Sequence, residues 1–294
     1  MEHDNKKIIL EAEQLFKEQK DDEVIEKLAP ICQEKVSWKV NLLYVKALYR
    51  KGQAVQAYQE ALPYEEDYLG KEVAFWEQLL LANQLFIPAR IALTINGIKE
   101  PFLIQIENAE KNFEIQQAET LQKRFKNFYH LGDQPDWKQQ EIIRDADHLP
   151  LNKYVQGAKF ILRDPFVGIA IRNTILKTLA ALRYSQSVTY IAVDGKDRDT
   201  VPAKIETSSY QKTIDEVNQL ICNYFKDNPI DQQNYLQQFH LQVFCLYPMT
   251  EAVITDPAAW VAVLIGNHDH ESREALEKAT RWQKIIQKSL INLH

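Results

Sequence analysis

Between Leu43 and Leu62, apolar residues recur at spacings of three and four on both sides of Lys51-Gly52: Leu43, Ala47 and Leu48 before it, Ala54, Ala57, Ala61 and Leu62 after it. That spacing puts each set on one face of an α-helix, so the stretch predicts two helices joined at the glycine. Residues 6 to 34 repeat the plan, with Ile8, Ile9, Ala12, Leu15 and Phe16, a polar break KDDE, then Val24, Ile25, Leu28, Ala29 and Cys32. Asp21 or Asp22 is expected to cap the second of these helices, and Glu23 and Glu26 suit the positive end of its dipole. A shift of 32 residues lays Phe16 on Leu48, Lys20 on Gly52, Ile25 on Ala57 and Ala29 on Ala61. A third unit, AFWEQLLLANQLFIPARIAL, turns at Asn83-Gln84 ahead of Pro88.

Thr94 to Ile98 break the pattern and Glu100-Pro101 follows, which sets a boundary near 95 to 101. One long helix is expected from about 103 to 129, too polar to be buried all round and suited to a connector. HLGDQPDWKQQ gives a turn at Asp133 and Pro135, a helix to about Asp147, and further helices through LRDPFVGIAIRNTILKTLAAL. After Ser187 the period changes to two: VTYIAV, Asp194-Gly195 and KDRDTVPAKIE predict a β-hairpin. Helix returns from Ser208, with breaks at Asn228-Pro229, Tyr247-Pro248, Asp256-Pro257 and Gly266, leaving room for four more helices. A single helical hairpin cannot bury both of its faces. The predicted fold is therefore all-α, an α-α superhelix of stacked helical hairpins with one inserted β-hairpin near 188–205.

Gly52, Ala57 and Ala61 sit where the tetratricopeptide family has a glycine ending its first helix and small residues five and nine positions later, and residues 6 to 95 resemble that family. Asp164, Pro165 and Arg172 resemble the Asp-Pro turn and following arginine of a HEAT-type repeat. The order of the whole chain resembles a family of cytoplasmic helical-repeat proteins of Gram-positive bacteria. These resemblances imply tetratricopeptide-like hairpins over 1–98, a connector helix over 99–134, and a HEAT-like region with the β-hairpin over 135–294. They imply no ligand, because the motif residues pack helices together and carry no chemistry.

Composition narrows the alternatives. Only 8 glycines and 11 prolines in 294 residues disfavour a glycine-rich nucleotide fold and a turn-rich β-sandwich. A net charge of −6 gives no general attraction to nucleic acid or to an anionic membrane. Cys32, Cys222 and Cys245 are widely spaced among apolar residues, which predicts free thiols and a reducing compartment. The N-terminal apolar run is too short for a signal peptide or a span, so the expected location is cytoplasmic, with no membrane partner.

Three stretches suggest chemistry. Gly266 to His270, with Gly132-Asp133 and Asp136, resembles blocks of calcineurin-like metallophosphoesterases, which implies metal ligands at Asp133, His268 and Asp269. No Asp-x-His lies upstream, and helices surround both blocks, so a surface loop with Asn or Asp capping the next helix is the preferred reading. Asp194, Asp197 and Asp199 alternate as calcium ligands do, without the glycine and glutamate of an EF-hand. Lys123, Arg124 and Lys126 interleave with Phe125, Phe128 and Tyr129, a mixture able to hold RNA, although helical spacing separates the aromatic and basic faces. No phosphate loop, nucleophile elbow or Cys-x-x-Cys pair is present.

The expected function is a non-enzymatic interaction scaffold that binds a protein or peptide, without a cofactor. Its contact residues are expected at Tyr44, Tyr49, Arg50 and Lys51 on the second hairpin and at Phe75 and Trp76 on the third. A metal-dependent phosphohydrolase and an RNA-binding repeat protein are the alternatives.

Overall fold

The computed structural model describes residues 2–34, 36–97, 100–205, 207–267 and 272–291. The chain is all-α apart from one small antiparallel β-hairpin. It divides into two units, the first Met1–Arg124 with Asp145–Leu151, the second Phe125–Arg144 with Asn152–His294.

The first unit begins with the helices α1 (Glu2–Lys17), α2 (Asp21–Cys32), α3 (Trp38–Arg50) and α4 (Ala54–Ala61). A 3₁₀ turn at Leu62–Tyr64 and the short α5 (Glu65–Lys71) then precede α6 (Val73–Ala82) and α7 (Phe86–Asn96). The segment α5 was not expected from the pattern. Its Tyr68 is buried, donates to Asn41 Oδ1 at 2.8 Å and stacks on Trp76 at 5.5 Å, so the helix is held by aromatic packing and one buried hydrogen bond.

Three of the helix pairs turn by the same device. Gln19, Gly52 and Gln84 have φ of 60°, 76° and 57°, in the left-handed region. The N–H of the residue after each, Lys20, Gln53 and Leu85, donates to a carbonyl five residues back, on Leu15, Leu48 and Leu80, at 2.9 to 3.0 Å. This is the closure that ends a helix on a left-handed residue. The structural partner of Gly52 is therefore Gln19, not Lys20. In that corrected register Val24, Ala57 and Ala89 are equivalent, and all three are completely buried. The turn also displaces the predicted cap: Lys20 occupies the N-cap of α2, while Asp21 lies inside the helix, its Oδ1 3.5 Å from Arg50 Nε.

The stretch expected as one connector helix is two, α8 (Glu100–Gln116) and α9 (Ala118–Tyr129), divided at Gln117. α8 packs on α7 and is tied to it by a bidentate pair, Arg90 Nε and Nη2 to Glu110 at 2.8 Å each. Glu110 also accepts the Leu151 N–H at 3.2 Å, and the His148 ring lies 3.1 Å from the Gln84 carbonyl. These bonds fix the returning segment Asp145–Leu151 on the first unit, with Leu149 fully buried.

The second unit contributes α10 (Asp136–Asp145); after the returning segment, with its 3₁₀ turn at Ala146–His148, the chain continues into α11 (Leu151–Ile161) and α12 (Ile169–Ala181). Gly157 of α11 lies against Phe128, where a Cβ would fall 2.5 Å from the ring, so glycine is required for that approach. The hairpin of β1 (Val188–Ile191) and β2 (Asp197–Thr200) pairs Val188 with Thr200 and Ile191 with Asp197. The three aspartates whose alternation resembles calcium ligands have protein partners: Arg198 binds Asp194 through two bonds, Thr189 donates to Asp199, and Arg163 lies 3.9 Å from Asp197.

The remaining helices are α13 (Thr207–Tyr224), α14 (Pro229–Leu246), the four-residue α15 (Thr250–Val253), α16 (Pro257–Ile265) and α17 (Arg273–Ile291). Asn228 and Asp256 cap α14 and α16 ahead of their prolines, and left-handed Gly266 ends α16. Trp260, Phe239, Val217, Ile221 and Ile286 form the center of this core. Within it the Trp260 indole donates to Gln242 Oε1 at 2.9 Å, and the Asn173 amide donates to the carbonyls of Phe244 and Cys245.

Candidate functional site

The six contact residues expected on the first unit do not share one surface. Tyr44 and Trp76 are buried in the core, where the Trp76 indole packs between Tyr58 and Tyr68. Tyr49 and Phe75 do meet, edge to face at 5.4 Å, and both are half-buried. Arg50 lies over the Phe16 ring at 3.5 Å, and Lys51 pairs with Asp22 at 2.9 Å. Both cations therefore fasten α3 to its neighbours. Helical periodicity marked these residues correctly as large or charged, but the same periodicity is produced by a packing face.

The most exposed aromatic side chains of the second unit are elsewhere. The chain leaves α11 through Leu162 and Arg163 and turns at Asp164-Pro165-Phe166. The Asp164 carboxylate accepts the Phe166 N–H at 2.9 Å, an Asx-type turn that proline at the next position pre-organises. Arg172, one turn into α12, reaches back and donates through Nη1 to the carbonyls of Asp164, at 3.0 Å, and Val167. The Asp-Pro turn and the following arginine, quoted for the resemblance to a HEAT-type repeat, are joined here by a direct bond. With the turn held from inside, Phe166 points outward and is 82% exposed.

Two clefts share Pro165 and Phe166. The larger, of about 540 Å³, is lined by His130, Asp133, Lys159, Phe160 and Arg163 as well. Phe160 is 41% exposed at the edge where it stacks on Tyr129 at 4.2 Å. Lys159 lies over Tyr184 at 5.3 Å, and His130 Nδ1 is 3.2 Å from Asp133. The smaller cleft, of about 360 Å³, is bounded by Asp136, Gln139 and Gln140 of α10, by the start of α12 and by Ser289. Trp137, next in the chain to Asp136, is 74% exposed. Burial holds the Arg172 guanidinium below its ordinary range, with a smaller opposing effect from Asp164. Sequence reasoning singled out Asp164, Pro165 and Arg172 but passed over Phe166, Phe160 and Trp137. For Phe166 the available signal was an aromatic residue inside a turn, where helix packing has no use for it; Phe160 and Trp137 lie within α11 and α10 and carried no such signal.

Among the described residues no three His, Cys, Asp or Glu side chains converge to hold a metal ion. Asp133 lies in a 3₁₀ turn with His130 as its near partner, and His268 and Asp269 lie outside the described residues. The apolar run Val261 to Ile265 that precedes them is helix, not strand, and Ser272 caps α17 by accepting the Ala275 N–H at 3.2 Å. Arg124, one of the expected RNA contacts, is tied to Asp145 at 2.8 Å, while Lys123 and Lys126 are exposed. The three cysteines are free thiols, and burial pushes Cys32 and Cys245 up to about 11. No described helix is long and apolar enough to cross a membrane. Compared with known protein families, curated proteins and solved structures, the chain matches none.

Proposed function

We propose that the chain is a non-enzymatic interaction protein, built of stacked helical hairpins of tetratricopeptide-like and HEAT-like kinds, that receives a peptide segment of a partner protein. The docking place is the turn Asp164-Pro165-Phe166 with the clefts on either side. The observation that carries this reading is the 82% exposure of Phe166 at a rim common to both clefts. Exposed aromatic side chains at the edge of a concavity supply large contact area at small entropic cost, and such residues dominate the energetics of protein interfaces. Phe160 adds an apolar wall, and Lys159 and Arg163 add charge at the periphery. A turn anchored by Asp164 and Arg172 presents this surface already ordered, which lowers the cost of binding.

Random peptides displayed on phage, selected on the wild-type protein and counter-selected on a Phe160→Ala, Phe166→Ala double variant, test this. The expected result is an enriched peptide class whose affinity falls about tenfold or more with Phe166→Ala alone, as for an interface anchor. Phe75→Ala should leave that affinity unchanged. Failure to enrich any class over the double variant would overturn the reading, and sensitivity to Phe75 alone would move the site to the first unit.

A further inference from the structure

We propose that the segment received at the larger cleft is acidic, with an apolar side chain laid against Phe160 and Phe166 and carboxylates meeting Lys159 and Arg163. This rests on the docking reading for the existence of a peptide partner, and on the charge and ring geometry of the second unit for its chemistry.

The charge comes from the stretch that builds the cleft. Between Asn152 and Tyr190 the chain carries Lys153, Lys159, Arg163, Arg172, Lys177 and Arg183 against a single acidic residue, Asp164. In a protein of net charge −6 this is a local reversal of sign. Lys159 lies in the last turn of α11, Arg163 just beyond it, and both line the cleft.

Neither cation has a close ion pair. Among the described residues Lys159 has a ring, Tyr184 at 5.3 Å, and no carboxylate as its partner. Arg163 is 3.9 Å from Asp197, with both side chains more than half exposed, and a surface pair of that length contributes little. The two carboxylates that also line the cleft are engaged within the fold. Asp133 lies 3.2 Å from His130 Nδ1, and Asp164 accepts the Phe166 N–H and rests so closely on Gly132 that a Cβ there would collide with it.

The rings supply a separate observation. Phe125, Tyr129 and Phe160 form a continuous ladder, with centroids 5.7 and 4.2 Å apart, that ends at the cleft, and Lys153 lies 5.1 Å over Phe125 at the other end. Cations thus stand at both ends of an aromatic ribbon. That arrangement suits a peptide in which apolar and acidic side chains are interspersed, because the apolar ones rest on ring edges while the acidic ones reach the cations. It suits single-stranded RNA less well. The planes of Tyr129 and Phe160 are only 22° apart, so those faces are stacked on each other rather than open to a base. A phosphate at every nucleotide also meets Asp133, Asp164 and Asp197, whereas spaced carboxylates avoid them.

Phage libraries of identical apolar composition, with the remaining positions coding Asp and Glu, Asn and Gln, or Lys and Arg, are selected on the full chain. The expected result is enrichment of the acidic library about tenfold or more over the neutral one, as charge complementarity requires. The selected peptide, synthesised with Asn and Gln in place of its acids, should lose a similar factor in affinity. In the Lys159→Glu, Arg163→Glu double variant the preference should move to the basic library, a switch that loss of structure does not produce. Arg163→Glu alone, at a side chain 62% exposed, should give part of the same switch even where the double variant fails to fold. Equal enrichment of the acidic and neutral libraries, or an acidic preference unchanged in the variants, would overturn the proposal. So would an oligouridine that binds this cleft more tightly than the peptide does. A neutral library that enriches with dependence on Phe166 leaves the docking reading standing and removes only this one, whereas failure of every library removes both.

Discussion

Glu77 shows how far a single buried residue departs from its ordinary chemistry. It lies in α6 at 1% exposure, both carboxylate oxygens lack a hydrogen-bond partner, and burial pushes its pKa up to about 8. The folded state therefore holds a proton that the unfolded chain releases near its ordinary value of 4.5. Native protein binds more protons than unfolded protein throughout that window, so the stability associated with Glu77 is complete below about 4.5, falls as pH rises, and is exhausted above about 8. Glu77→Gln should flatten the dependence by a few kcal/mol between pH 5 and pH 8.5, on the order expected for a shift of this kind. Urea midpoints of both proteins at the two pH values measure it. An unchanged difference between them would show that Glu77 is hydrated or paired in solution.

At the scale of elements, the recurring turn accounts for much of the first unit. Gly52 adopts its left-handed conformation without a side-chain penalty, whereas Gln19 and Gln84 hold the same conformation with a Cβ. Gly52→Ala should cost about 1 kcal/mol, and Gln84→Gly should gain about 0.5 to 1 kcal/mol, because the backbone bonds of the turn are the same in each. Thermal melts of the two variants check the opposite signs. The hairpins themselves were legible because a helix face and a turn are local: apolar spacing marks the first and a break in it marks the second. The register was legible only to within one residue, since Lys20 and Gln19 are both polar and neither resembles glycine. The break at Gln117 was not legible, because nothing in QQAET departs from helical composition. The turn at Asp164 was, because its aspartate, proline and arginine each have a bond to make or a dihedral to fix.

For the whole molecule, the notable property is that the first unit is not continuous in sequence. Residues 145–151 belong to it although twenty residues of the second unit, Phe125–Arg144, intervene. Leu149 is completely buried there, and the 3₁₀ turn beside it packs on α7. Leu149→Ala should destabilise the protein by about 2 to 5 kcal/mol, as for other buried leucines. Its increase in amide hydrogen exchange should appear in α6 and α7, which precede it by more than fifty residues, rather than in α16 and α17. Exchange confined to the neighbourhood of residue 149 would argue that the returning segment is only loosely held.

The sequence by itself determined the helical class, the position of the β-hairpin, and the turns at Gly52, Asp164, Asn228, Asp256 and Gly266. Each of these depends on interactions within a few residues, which composition and spacing record. Only the tertiary structure decided which aromatic residues face outward. Tyr44 and Trp76 are sealed in the core while Phe166 and Trp137 are exposed, a choice made by contacts between segments distant in the chain. It was tertiary packing, too, that left both carboxylate oxygens of Glu77 without a hydrogen-bond partner. Burial is a property of the packed whole, and one sequence period serves equally well for a face that meets another helix and a face that meets a partner.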